Sequence, residues 1–207
     1  MKSLFIVLMA VISLSAATES GKIAFVKGEV SLIRDNRVAP AQAGEVLEVG
    51  DVIKTGPDGR AKLLFLDETV MVVGKSTVFK TESYAFDKRA GKYDAQFKVA
   101  EGFFKTITGQ IGKVAKEKFA LKTKTATMGI RGTIFGGEVA EDYENIYCLK
   151  GAITVESGGQ TKVVESGFMT SIKGGGTPSE PKKITPAEHL KFNQETSTLS
   201  FGQCKVK

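Results

Sequence analysis

Tryptophan is missing from this 207-residue sequence, histidine occurs once and cysteine twice. Each scarcity closes off a class of function. A carbohydrate-stacking platform usually exposes Trp or Tyr. The 13 phenylalanines fall mostly at alternate, inward-looking positions, so glycan binding has no positive support. A single histidine, His189, cannot build a histidine metal site. It would have to serve any histidine-based triad, yet no serine or cysteine nucleophile signature surrounds it. Two cysteines far apart make no zinc knuckle. The acidic group Glu138 to Glu144 lacks calcium-loop spacing. Gly112-Lys113 stands where a phosphate loop would end, but Ile107 and Val114 break that pattern. No catalytic residue, metal or cofactor is therefore nominated, and no acid–base pair supports a hydrolase.

Long apolar runs are also missing beyond the start of the chain. Met1-Lys2-Ser3 is a short basic opening, Leu4 to Leu14 is apolar apart from Ser13, and Ser15-Ala16-Ala17 supplies small residues. This is the pattern of a secretory signal peptide over residues 1–17, cleaved after Ala17. The run is well short of the roughly 20 residues a spanning helix needs. No cysteine follows it to carry a lipid, and no later segment reads as a transmembrane span. The expected location is a periplasm or the exterior. In such an oxidising compartment a Cys148–Cys204 disulfide is allowed; the alternative is a buried thiol and a tail thiol that never meet.

What is present is ordinary globular material, 42% hydrophobic and 25% charged, enough for a domain that needs no metal or disulfide to hold it. The formal net charge is +6. For an exported chain that implies acidic partners, anionic lipid or glycan, and not nucleic acid. Lys105, Lys113, Lys116, Lys118, Lys122, Lys124 and Arg131 form a basic stretch, and Glu138, Glu141, Asp142 and Glu144 an acidic one. The basic stretch reads either as a solvated strand face or as a docking surface for an envelope partner.

Short β-type segments fill the middle. Ile23–Val26, Val30–Arg34, Val46–Val49, Val52–Lys54 and Arg60–Leu66 alternate or end at turns. Asp35-Asn36-Arg37 and Gly56-Pro57-Asp58-Gly59 are among those turns. Val78–Phe86 and Tyr93–Val99 form a long hairpin with an exposed tip. Phe103 and Phe104 put adjacent rings on opposite strand faces, so one of them is a candidate contact. Residues 109–118 read as a loop or a short helical turn. Phe119, Leu121, Thr123, Thr125 and Thr127 alternate as one extended strand. Gly28, Gly102 and Gly151 each sit inside an apolar strand pattern, which fits strands bending at glycine past the edge of a roll or sandwich. After Ile172, residues 174–181 read as a flexible linker. Thr185-Pro186-Ala187-Glu188 then opens a short helix with a capping box, running to about Asn193 with Leu190 on its apolar side. The expectation is an all-β domain over residues 21–172, a twisted sandwich or roll of roughly ten strands. Linker, helix and tail fill 173–207.

The run Thr127-Met128-Gly129-Ile130-Arg131-Gly132-Thr133 resembles the A-x-x-G-V-R-G-T signature of the FecR domain family. Gly129-Ile130-Arg131-Gly132 is also similar to the clamp of an RNA-binding KH domain, but that clamp joins helices and these flanks are β-branched. Other pieces fall in the FecR order. Gly28-Glu29-Val30 opens the domain, Gly50-Asp51-Val52-Ile53-Lys54-Thr55-Gly56 matches G-D-x-I-x-T-G, and Gly59 follows. Leu66-Asp67-Glu68 stands where the family has aspartate-glycine, and Leu149-Lys150-Gly151 resembles the closing element. The glutamate at 68 departs from the pattern and bears on whether that hairpin loop takes a positive φ.

The resemblance implies a non-catalytic periplasmic sensory or protein-interaction module. Such domains are associated with relaying the state of an outer-membrane receptor to a sigma factor. This sequence shows neither the cytoplasmic sigma-interacting segment nor the span after it, so relay implies a membrane or envelope protein partner. A structural or adhesive envelope scaffold is the alternative. Gly50, Asp51, Gly59, Gly129, Arg131, Gly132 and Thr133 are the signature positions, structural or in contact with the partner. Phe103, Phe104, Lys113, Lys116 and Lys118 are the candidate contact surface. Arg131, on a segment that otherwise reads as interior, is expected to be a buried cation with an anionic or carbonyl partner, costing about 3 kcal/mol on truncation.

Overall fold

The structure, a computed structural model, describes residues 18–197. The expected signal segment 1–17 and Cys204 lie outside the described residues. The strands are β1 (Glu19–Lys27), β2 (Val30–Arg34), β3 (Arg37–Pro40), β4 (Val46–Glu48), β5 (Val52–Thr55), β6 (Arg60–Phe65), β7 (Val70–Val73), β8 (Val78–Asp87) and β9 (Lys92–Ile107). They continue with β10 (Phe119–Lys122), β11 (Thr127–Ile130), β12 (Ile134–Val139), β13 (Tyr143–Lys150), β14 (Ala152–Ser157), β15 (Gln160–Glu165), β16 (Phe168–Lys173) and β17 (Lys182–Lys183). Two α-helices, α1 (Ile111–Val114) and α2 (Pro186–Thr196), and a 3₁₀ turn over Lys116–Lys118 complete the set. The chain is all-β, as expected, with more strands than the ten foreseen because polar turns and glycine corners cut the apolar runs. Asp35 and Asn36, at φ 49° and 61°, make the two-residue turn between β2 and β3.

Two layers follow from the pairings. One runs β4–β1–β6–β7–β9–β12–β13–β16–β17. The other runs β3–β2–β5–β8–β9–β10–β11–β14–β15. Strand β9 belongs to both. Its first half pairs with β8 and β10, and its second half with β7 and β12. The change of layer falls at Gly102, whose φ is +93°. A Cβ there would lie 2.2 Å from Thr77 Oγ1 and 2.5 Å from the Ser76 carbonyl oxygen, so no other residue fits without displacement. Gly28 and Gly151, the other members of the echo in the sequence, also have positive φ and also sit where the chain changes layer.

Phenylalanines fill the space between the layers. Phe65 of the first layer lies 4.6 Å from Phe97 of the second, centroid to centroid, and Phe119 meets Phe135 across the layers at 6.4 Å. Each such ring, fully buried, stabilises the fold by roughly 1.5–3 kcal/mol.

Three expectations need correction. The strand foreseen over 119–127 is a hairpin, β10 turning into β11. Thr123 Oγ1 and the N–H and hydroxyl of Thr125 all donate to Glu144, a carboxylate buried on β13. That staple ends β10 at Lys122. The segment 174–181 is not free: Gly174 N–H donates to the Asp142 carbonyl, Ser157 Oγ to the Gly176 carbonyl, and Ser179 N–H to the Ser171 carbonyl. Helix α2 carries the foreseen capping box, but Leu190 is 60% exposed. Phe192 is the buried anchor instead, 4.8 Å from the ring of Tyr147. Ion pairs Lys191–Glu138 (3.2 Å) and Lys75–Glu195 (2.8 Å) flank it and dock the helix on the outer face of the first layer.

Candidate functional site: a groove over Gly129

The two halves of the signature do different work. Gly50, at φ +97°, turns the chain so that Asp51 points inward. Its carboxylate accepts from Arg34 Nε at 2.8 Å and from Arg34 Nη2 at 2.7 Å, a bidentate pair, and also from the Glu48 N–H. Arg34 reaches Glu48 Oε1 as well, at 2.9 Å. The hydrogen bond to Asp51 is the chief reason the guanidinium pKa lies above its ordinary value. Gly59 passes so close to Glu29 that a Cβ would lie 2.1 Å from its carbonyl oxygen. The contacts of Asp51 and Gly59 are with the fold itself.

Asp67 is a second internal hub. It is fully buried, and its carboxylate accepts from Tyr84 Oη and from the N–H and hydroxyl of Thr69. The Ile111 N–H, at the start of α1, donates to it as well. Desolvation raises the Tyr84 pKa far above its ordinary value, and the negative Asp67 adds to the rise. Glu68, where the family has glycine, adopts the positive φ regardless, at +68°.

The second half of the signature faces out. In β11 Met128 and Ile130 enter the core, which turns Thr127, Gly129 and Arg131 to the outer face of the second layer. Arg131 is exposed, not buried. The arginine that does hold a buried carboxylate is Arg34, itself only half-buried, and the argument for Arg131 failed because strand alternation overrides apolar neighbours. Gly132, at φ +66°, then bends the chain towards β12. Thr133 locks that bend: its N–H donates to Thr108 Oγ1 at 2.9 Å and its carbonyl accepts the Thr108 N–H at 3.1 Å.

An open groove of about 400 Å³ lies over β11. Register places Gly129 opposite Thr154 of β14, and Ala120 of β10 falls opposite Gly129 on the other side. These small residues form the floor. Thr127, Thr161, Lys116, Glu117, Arg131 and Glu156 line the sides. A Cβ on Gly129 would lie 2.7 Å from Thr154 Oγ1, so the glycine keeps the floor low. Hydroxyls and charges of both signs at the walls equip the groove to grip a polar segment.

The other candidate contacts scatter. Phe104 is in the core; Phe103 points to the opposite face, as foreseen, but is only 8% exposed. The Nζ atoms of Lys75 and Lys191 lie 5.6 and 5.8 Å from its ring, so the docked α2 region screens it. Lys113, on α1, and Lys116 and Lys118, on the 3₁₀ turn after it, are exposed, and Lys116 reaches the groove. Lys105 departs from the basic stretch: it is half-buried on the first layer, and burial lowers its pKa. In the acidic stretch Glu141 and Asp142 are solvated, whereas Glu138 and Glu144 are buried and bonded. Among the described residues no three His, Cys, Asp or Glu side chains gather as a metal site, and no helix is long and apolar enough to cross a membrane.

No curated protein matches the sequence. Among solved structures, the fold is similar to that of a candidate anti-sigma factor from Parabacteroides distasonis ATCC 8503, determined at 1.65 Å and again at 2.50 Å resolution. The TM-score is 0.52 at 13% identity, over 64% of this chain and 59% of that one. The match therefore speaks to fold, and this chain spans under two thirds of that protein's length. The family described as FecR protein matches residues 51–154, from the buried Asp51 through the groove residue Thr154. With half of its length matched and both signature elements in place, the chain belongs to the FecR family.

Proposed function

We propose that the chain is a non-catalytic signalling module of the cell envelope, periplasmic or secreted, that binds a protein partner through the groove over Gly129. One observation carries this reading: the signature segment from 127 to 131 turns Gly129 and Arg131 outward into an open groove, while the earlier elements hold the fold. FecR membership and the fold shared with a candidate anti-sigma factor favour regulation. The signal-peptide pattern of residues 1–17 favours export. Placing a photoreactive side chain at Thr154, on the groove floor, tests the reading in intact cells. A discrete crosslinked envelope protein is expected, lost on Gly129→Leu. The absence of any adduct, or an adduct indifferent to Gly129→Leu, would refute the groove as the binding site.

A further inference from the structure

The outer face of the second layer carries three lysines in one line across three neighbouring strands. Lys80 on β8 is the cross-strand partner of Lys98 on β9, and Lys98 is the partner of Lys122 on β10. All three are exposed. Strands stand about 4.8 Å apart, so the three side chains leave the sheet from neighbouring points, closer together than a Debye length of ~8 Å. Like charges directly opposite on adjacent strands oppose folding. Glu82 reaches Lys122 at 3.1 Å, while Lys80 and Lys98 have no side-chain partner among the described residues. The row is a cost to the free chain that an anion lying on it would offset.

The row runs into the groove. Lys122 stands opposite Thr127, and Thr127 opposite Glu156. One pleat away lies the floor, Ala120, Gly129 and Thr154, and beyond the floor stands Arg131. A segment laid along the floor thus meets lysines on one bank and Arg131 on the other. Two carboxylates, Glu117 and Glu156, and the further cation Lys116 also line the groove, with Glu156 towards its far end. We propose that the groove takes an extended acidic polypeptide segment of the partner, running across the strands with its carboxylates on Lys98, Lys122 and Arg131. This rests on the groove being the binding site, and adds the chemistry of what fills it. The low floor favours a polypeptide over an anionic bilayer, because a flat surface would touch the banks and leave the space over Gly129 empty.

The test uses the full mature chain and a fluorescent peptide of alternating Glu and Ser, read by anisotropy, beside a Lys–Ser peptide and vesicles containing phosphatidylglycerol. The acidic peptide is expected to bind, weakening with added salt. The variant Lys80→Gln/Lys98→Gln/Lys122→Gln is expected to bind it about tenfold more weakly. Its melting temperature should be equal or higher, since it loses only like-charge repulsion and one exposed ion pair. Gly129→Val, which leaves every charge in place, should also weaken binding. Equal binding by the lysine variant, or no preference for the acidic peptide, overturns the proposal. So does lysine-dependent binding of the vesicles without the peptide, which would assign the row to a membrane. If the Thr154 crosslink persists in the lysine variant, the acidic-segment inference falls while the groove stands. If there is no crosslink in any form, both fall.

Discussion

Truncating Asp51 separates the two kinds of signature residue most sharply. Its side chain is 1% exposed and accepts from Arg34 twice and from the Glu48 N–H once. Breaking a buried ion pair by removing one partner costs about 3–5 kcal/mol. Two features set Asp51→Ala at the low end of that range. The Arg34 side chain is 33% exposed, and it keeps Glu48 at 2.9 Å and the Val46 carbonyl at 2.8 Å. Against that, the Glu48 N–H loses its acceptor, about 1–3 kcal/mol if no water replaces it. That stranded donor is part of the same penalty and is not added to it, so the cost is about 3 kcal/mol, which for a domain of this size lowers the melting temperature by roughly 6–12 °C. The chain has no tryptophan, so unfolding is best followed by far-ultraviolet circular dichroism in a urea series. Arg131→Ala in the same series should fall within about 0.5 kcal/mol of the parent, as exposed substitutions do. A loss below about 1 kcal/mol for Asp51→Ala, or equal losses for the two variants, would refute the division of labour.

Glu68→Gly should stabilise the fold by about 0.5–1 kcal/mol, since relief of the left-handed backbone outweighs the added freedom of the unfolded chain. A lower urea midpoint than the parent would contradict it. Burial pushes the Cys148 thiol up to about 11, with Sγ facing the Lys150 and Gly151 carbonyls. In a Cys204→Ser background it should resist a thiol reagent until the protein is unfolded; rapid labelling of the native state would disprove this. The Glu188 carboxyl is held down at about 2, first by the hydrogen bond from Lys182 and then by those from Thr185. For a depressed acid, the stability it lends is present above the ordinary value of 4.5 and is lost as the pH falls from there through about 2. The group is near the surface, so the effect is small and confined to α2. Amide protection in α2 should drop across that window before the sheet, and Glu188→Gln should remove the drop. Protection that stays level to pH 2 would show that the capping box does not hold the helix.

Local chemistry was legible in the sequence, and chemistry that depends on distant strands was not. The capping box of Thr185 and Glu188 needs only four residues in order, and it is there. The face α2 buries depends on the notch at Gly136, where a Cβ would lie 2.5 Å from the Phe192 ring. No local pattern chooses Phe192 over Leu190. The alternation from Phe119 to Thr127 continues through a turn because threonines suit both strand and turn, and the carboxylate that ends the strand, Glu144, lies on β13. The period of two sets Phe103 and Phe104 on opposite faces without saying which is outward, and the cover over Phe103 comes from Lys75 and from Lys191 of α2, the latter about ninety residues later. The exposure of Arg131 was readable: with Met128 and Ile130 inward, a strand's period of two puts residue 131 outside. Lys80, Lys98 and Lys122 could each be assigned to an outer face by the same rule. That they form one line required the registers of β8, β9 and β10.

The glycine corners explain why the groove and the lysine row share a face. At Gly102 strand β9 leaves the second layer, so only its first half, through Lys98, can stand beside β10. The parallel pairing of β9 with β10 then fixes Phe119 against Ala95 and Lys122 against Lys98. The turn stapled by Glu144 returns the chain as β11, setting Gly129 beside Ala120 and Thr127 beside Lys122. A slip of one residue at either pairing would turn the lysines inward and the core side chains outward. The buried Phe97, Phe119, Leu121 and Met128 forbid it. The core therefore fixes the geometry of the charged surface, although none of those four side chains carries a charge, and that surface needs no dedicated scaffold of its own.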